Sequence, residues 1–153
     1  MCWQPQIHHQ KSNTITLRGE YMGNPQKAKG DAYERDLAKY FNERIYKEER
    51  CSRAPLSGGG RIGIGVGGAD LLGTPEIFIE AKRVERLNFR DAMAQAERNI
   101  IQTHAPEIPV VITRRSRETI EDSLVVMRLK DWELMYGAYL KATAHMRDDA
   151  LPK

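Results

Sequence analysis

Apolar positions recur at helical spacing in three stretches of this 153-residue chain and in short runs between them. Leu37, Ala38, Phe41 and Ile45 follow three- and four-residue steps and predict a helix from Gly30 to about Glu48, with Asp31 near its N-terminus. Phe89, Ala92, Met93, Ala96 and Ile100 predict a second helix from about Asn88 to Thr103, opened by an Asn88/Asp91 capping pair and followed by Pro106. Trp132, Met135, Tyr136, Tyr139 and Leu140 predict a third from about Asp131. Residues 51–56, 69–72, 77–84, 108–113 and 124–129 are short enough to be strands, with 69–72 and 77–84 paired around a turn at Gly73-Thr74-Pro75. The order α-β-β-β-α-β-β-α predicts one mixed α/β domain over residues 29–145, a mixed central sheet flanked by helices. Residues 1–28 are polar, carry Pro5 and Pro25, and predict a loose extension with one short strand at 14–17; residues 146–153 form a tail.

Composition narrows the class. Hydrophobic residues at 41% and charged residues at 29% suit a globular domain with a real core. No run approaches the ~20 apolar residues of a membrane span, and the start MCWQPQIHHQ has no apolar signal core. Two cysteines, Cys2 and Cys51, give no disulfide framework, which points to a reducing, cytoplasmic setting. Lys and Arg number 24 against 21 Asp and Glu, a net +3, concentrated at +4 over residues 82–117. A basic middle suits a polyanion-binding face, although a solvated charged surface is the commoner reason for such a pattern.

Three carboxylates and a lysine stand where packing alone would not choose them. Glu34 shares the helix face of Leu37, Ala38, Phe41 and Ile45, and a carboxylate there needs a partner. The bland explanation is a pair with Arg35 or Lys39. Glu80 and Lys82 project from one face of the 77–84 strand, as an exposed cross-strand ion pair commonly does. If residue numbers across the hairpin sum to 150, Asp70 stands opposite Glu80 on that face; a four-residue turn would send it to the other side. Two carboxylates about 5 Å apart repel, and a divalent cation with a preference for hard oxygen ligands, magnesium or manganese, removes the repulsion. Phosphodiester hydrolysis needs a positioned water and charge neutralisation, for which Lys82 supplies an ammonium.

Asp70 followed by Glu80-Ala81-Lys82 resembles the PD-(D/E)XK nuclease signature. Lys29-Gly30-Asp31-Ala32-Tyr33-Glu34-Arg35 resembles the first-helix KGxxxER motif of archaeal-type (Hjc-like) Holliday junction resolvases, and Arg53-Ala54-Pro55-Leu56-Ser57-Gly58 resembles that family's R-x-x-x-S-G segment. The likeness runs in the same order over residues 29–135. It implies a restriction-endonuclease-like core. It also implies magnesium, with manganese as a substitute, held by Glu34, Asp70 and Glu80 with the Ala81 carbonyl, and a catalytic Lys82. Ser57 would touch the scissile region, and a symmetric homodimer would cut opposed strands of a four-way junction. DNA contacts fall to Lys29, Arg35, Arg53, Ser57, Arg83, Gln95, Arg114 and Arg115; each of the arginines can equally be a plain surface charge, and Gln95 can equally be an edge residue beside Ala92 and Ala96. Ala69 stands where the signature has Pro, the glycine-rich run 58–68 is longer than the family's, and residues 1–28 have no counterpart in it.

Other signals lead away from small cofactors. Gly63-Ile64-Gly65-Val66-Gly67-Gly68 satisfies GxGxxG but lacks the preceding strand and following helix of a dinucleotide site, so no nucleotide cofactor is expected. Cys2, His8 and His9 match no common zinc spacing. The expected activity is therefore a metal-dependent endonuclease selective for four-way junctions, with no membrane partner. The alternatives are a nuclease for other branched or damaged DNA, or a junction-binding protein without catalysis.

Overall fold

A computed structural model describes residues 25–55 and 68–148. The expected strand at 14–17, Ser57, the glycine run 58–67, Cys2, His8 and His9 lie outside the described residues. Helix α1, Pro25–Tyr40, begins five residues before the expected Gly30 start and runs into a π-helical turn, Phe41–Tyr46. Asp31 is therefore in the second turn of α1 and is no cap. Tyr33, Leu37, Ala38 and Phe41 form the buried stripe. The π turn adds a residue to the repeat and rotates Ile45, expected in that stripe, out to 55% exposure.

Strands β1, Ser52–Arg53, and β2, Leu71–Leu72, form a short antiparallel ribbon. Strand β3, Ile77–Arg83, pairs parallel with β4, Ile108–Arg114, which pairs antiparallel with β5, Leu124–Val126. The mixed sheet is thus ordered β3-β4-β5. The expected hairpin ladder between 69–72 and 77–84 is replaced by the β1–β2 ribbon, which meets the free edge of β3 through the Asp70 N–H donating to the Ile79 carbonyl at 2.9 Å.

Helix α2, Phe89–Thr103, makes the crossover from β3 to β4. The Asn88 side chain accepts from the Arg90 and Asp91 amides and donates to Asp91, so the expected capping pair closes the first turn. The sheet separates two apolar clusters. Ile79, Val110 and Ile112 pack with Tyr33, Leu37, Ala38 and Phe41 of the α1 side, while Val111 packs with Ala92, Met93 and Ala96 of α2. Strand alternation sends neighbouring residues of β3 and β4 to these opposite faces. The domain is mixed α/β, with helices on both sides of a mixed sheet.

Helix α3, Leu129–Asp148, carries its apolar stripe outside the core of the described residues. Trp132, Met135, Tyr136, Tyr139 and Leu140 are all exposed, with Trp132 and Tyr136 stacked at 4.7 Å. Among the described residues no helix is long and apolar enough to cross a membrane.

The turn between β2 and β3 depends on Gly73. Its φ is +77°, and a Cβ there would lie 2.1 Å from the Arg50 carbonyl oxygen. Gly73→Ala is expected to cost about 2 kcal/mol or more in urea unfolding. Gly30, inside α1 with nothing within 4 Å of its Cβ position, is the control; Gly30→Ala should gain roughly 0.5–1 kcal/mol. Equal effects of the two substitutions would contradict this reading of the turn.

Candidate active site

Asp70 is held at the edge of β3 that has no ladder partner among the described residues. Asp70 precedes β2 and is fixed at three points. Its carbonyl accepts from the Ala54 amide at 2.9 Å, its amide donates to Ile79, and its carboxylate Oδ2 accepts from the Ala81 amide at 2.7 Å. The residue therefore straddles Glu80 from outside the sheet. In a strand, a residue's N–H and C=O project to the same edge, so the Ala81 carbonyl lies along the edge that its amide shares with Asp70.

Glu80 is buried at 2% exposure on the α2 face of β3. Its Oε1 accepts from Lys82 Nζ at 2.5 Å and from Gln95 Nε2 at 2.8 Å, and its Oε2 from Asn99 Nδ2 at 3.4 Å. Lys82 also donates to Gln95 Oε1 at 3.1 Å. Gln95 thus faces the acidic pair from α2. Asn99, one turn further, was not singled out from the sequence; the signal for it was its polar i+4 relation to Gln95 beside an apolar stripe. It also donates to the Gly68 carbonyl at 3.3 Å.

Glu34 enters from α1, buried at 7% exposure, and accepts from Arg53 Nε at 2.6 Å. Arg53 also donates from Nη2 to Asp31 at 2.7 Å. Glu34 is therefore bonded to Arg53 of β1, whereas the sequence offered the nearby Arg35 or Lys39. Arg35 is exposed, as are Lys29 and Arg115. Arg83 is half-buried and Arg114 buried, both on the α1 face.

The electrostatics tie the acids together. Burial pushes the Asp70 carboxyl up to about 7, and the charges of Glu80 and Glu34 push in the same direction. The Ala81 amide and the Lys82 ammonium act against them. The charges of all three other members of the expected set thus act on Asp70. Among the described residues, however, no three His, Cys, Asp or Glu side chains are gathered closely enough to hold a metal ion. Glu80 is turned to Lys82 and Glu34 to Arg53. The donor chemistry suits a hard divalent cation, since all three acids offer oxygen and Asp70 carries the strain of uncompensated negative charge.

No family model, curated protein or solved structure matches this chain. The site rests on its own geometry.

A carboxyl whose folded pKa exceeds its unfolded value of 3.8 holds its proton more tightly in the folded state. Its stabilising contribution is complete below pH 3.8 and is lost as pH rises towards and through about 7. In EDTA, Asp70→Asn keeps an oxygen acceptor for Ala81 and removes this loss. It should gain stability over the unmodified chain as pH rises from 4 to 8, by up to about 4 kcal/mol. A stability difference that does not change with pH in thermal or urea unfolding would contradict the assignment.

Proposed function

We propose that this chain is a metal-dependent DNA endonuclease of the PD-(D/E)XK kind, selective for four-way junctions. The single observation that supports the reading is the Asp70 carboxylate bonded to the Ala81 amide between Glu80 and Lys82, where the charges of Glu80, Glu34 and Lys82 act on it. A buried group of acids of this kind destabilises a protein unless it serves a ligand or a reaction. Glu34, Asp70 and Glu80, with the Ala81 carbonyl, are the residues that would hold magnesium or manganese. Such an ion, when bound, acts as a Lewis acid on a phosphate oxygen and lowers the pKa of water.

This chain's own groups do the rest. In hydrolysis a water oxygen bonds to phosphorus, the bond from phosphorus to a sugar oxygen breaks, and one water proton ends on that leaving oxygen. Lys82, held between Glu80 and Gln95, orients the water and offsets negative charge as it develops on the phosphoryl oxygens. Arg53 positions Glu34 from β1. Ser57, Lys29, Arg35 and Arg115 are assigned to the DNA backbone, where contacts position the substrate without reading bases.

One chain offers one such cluster, whereas resolving a junction takes two symmetric nicks. A homodimer with an isologous interface follows. The exposed Trp132, Met135, Tyr136, Tyr139 and Leu140 of α3, with Leu124 and Val125 of edge strand β5, supply an apolar surface for it. The binding-only alternative has one observation in its favour: Glu34 and Glu80 are already bonded to Arg53 and Lys82.

Labelled four-way junctions and linear duplex, each with magnesium and then with EDTA, separate these readings. Magnesium-dependent nicking of the junction alone is the expected result. Asp70→Asn and Lys82→Ala should each cut at least about 100-fold more slowly while still binding junctions. Equal cutting of linear duplex would favour a nuclease for other DNA structures, and tight binding without cutting would favour the binding module. Wild-type cutting by Asp70→Asn would overturn the site. In sedimentation equilibrium the protein should be dimeric and the Trp132→Glu/Tyr136→Glu variant monomeric; a monomeric wild type would contradict the α3 assignment.

A further inference from the structure

Arg83 and Arg114 end β3 and β4 at directly paired positions of the parallel ladder. Both fall on the α1 face, whereas Lys82, the residue before Arg83, points to the other face. Like charges placed side by side on neighbouring strands repel and are destabilising. The chain does little to offset them. Arg114 is 9% exposed, lies 4.9 Å from the centroid of the Tyr33 ring, and donates from Nη2 to the half-exposed Asp36 at 3.2 Å. Arg83 forms no ion pair among the described residues. The Nε atoms of both arginines are buried with no hydrogen-bond partner.

Elsewhere in the domain an arginine Nε is met by a carboxylate. Arg128 donates from Nε and Nη2 to both oxygens of Glu97 at 2.7 and 2.9 Å. Arg83 and Arg114 depart from that pattern together and in one place. The nearby polar groups are otherwise engaged. The Tyr33 hydroxyl donates to Ser123 Oγ at 3.0 Å, Glu85 accepts from the Ser116 amide at 3.0 Å, and Glu118 accepts from the Arg115 amide at 2.8 Å. Lys29 and Arg115 bear on Glu85 and add to the positive side of the balance. A buried, unmet donor on a charged group is costly, and a bound anion is one of the few things that repays it.

We infer that Arg83 and Arg114 form an oxyanion clamp that holds a phosphodiester of the DNA backbone at the carboxyl ends of β3 and β4. The clamp rests on the DNA reading given above and adds to it a second anchoring point, across the sheet from Lys82. The crevice beyond the carboxyl ends of parallel strands is a frequent ligand position in α/β sheets. Planar guanidinium forks match the geometry of phosphate oxygens, and two of them facing one anion turn mutual repulsion into shared attraction. A backbone crossing the end of β3 would meet Lys82 on one face and the clamp on the other.

Two measurements on the full-length protein in EDTA test this. In the first, arginine Nε–Hε resonances are followed by NMR while inorganic phosphate is added at constant ionic strength. Saturable shifts of the Arg83 and Arg114 signals are expected, and their absence would overturn the clamp without any variant having to fold. In the second, affinity for a four-way junction is measured against salt for wild type, Arg83→Gln/Arg114→Gln and the milder Arg83→Lys. Loss of the one phosphate contact that the two arginines share should lower the slope of log K against log salt by about 1 in the double variant. Phosphate shifts with an unchanged slope would overturn the DNA assignment of the clamp. A wild type that seats phosphate but binds no DNA would overturn the DNA reading of the protein and leave an oxyanion site standing.

Discussion

Strand β3 is bonded to β4 along one edge and has no ladder partner on the other among the described residues, and the candidate site is built on that asymmetry. Asp70 takes the open edge with both its backbone and its side chain, accepting from the Ala81 amide between Glu80 and Lys82. A main-chain contact of this kind fixes where the carboxylate sits more firmly than a pair of flexible side chains could. It also places the half-buried Asp70 in the field of Glu80 and Glu34. The remaining polar contacts respond to that crowding. Lys82, Gln95 and Asn99 surround Glu80, and Arg53 takes Glu34.

The π-helical turn, the β1–β2 ribbon and the Gly73 turn serve the same end. The turn after α1 lets Asn42 accept from the Arg50 and Cys51 amides and donate to the Cys51 carbonyl, which fixes the chain entering β1. Strand β1 then carries Arg53 to Glu34 and Asp31, and its pairing with β2 sets Asp70 beside β3. Gly73 allows the chain to reverse tightly against Arg50. Each device is local, and together they bring a helix, a ribbon and a strand to one corner.

Much of this was legible in the sequence, and the failures have identifiable causes. Alternation along 77–83 placed Glu80 and Lys82 on one face, and the helical stripe with its Asn88 cap located α2 within a residue. The hairpin sum anticipated Asp70 near Glu80 but mistook the device, since a side-chain bond to the backbone replaces a strand ladder. The partner of Glu34 was missed because Arg53 is distant in sequence, while the bases near it in sequence, Arg35 and Lys39, are exposed. The π turn was invisible because one extra residue per turn has no compositional mark, and it alone moved Ile45 out of the stripe. The α3 stripe was legible as apolar, yet periodicity cannot say whether such a face meets the chain's own core or another molecule.

The most direct measurement is the titration of the Asp70 carboxyl carbon by NMR, in EDTA and again in magnesium. The account predicts a midpoint near 7 without the ion, set by burial and by Glu80 and Glu34, and a fall below the ordinary aspartate range once magnesium is present. A midpoint in the ordinary aspartate range without the ion, or one that magnesium leaves in place, would contradict the claim that these acids share a cation.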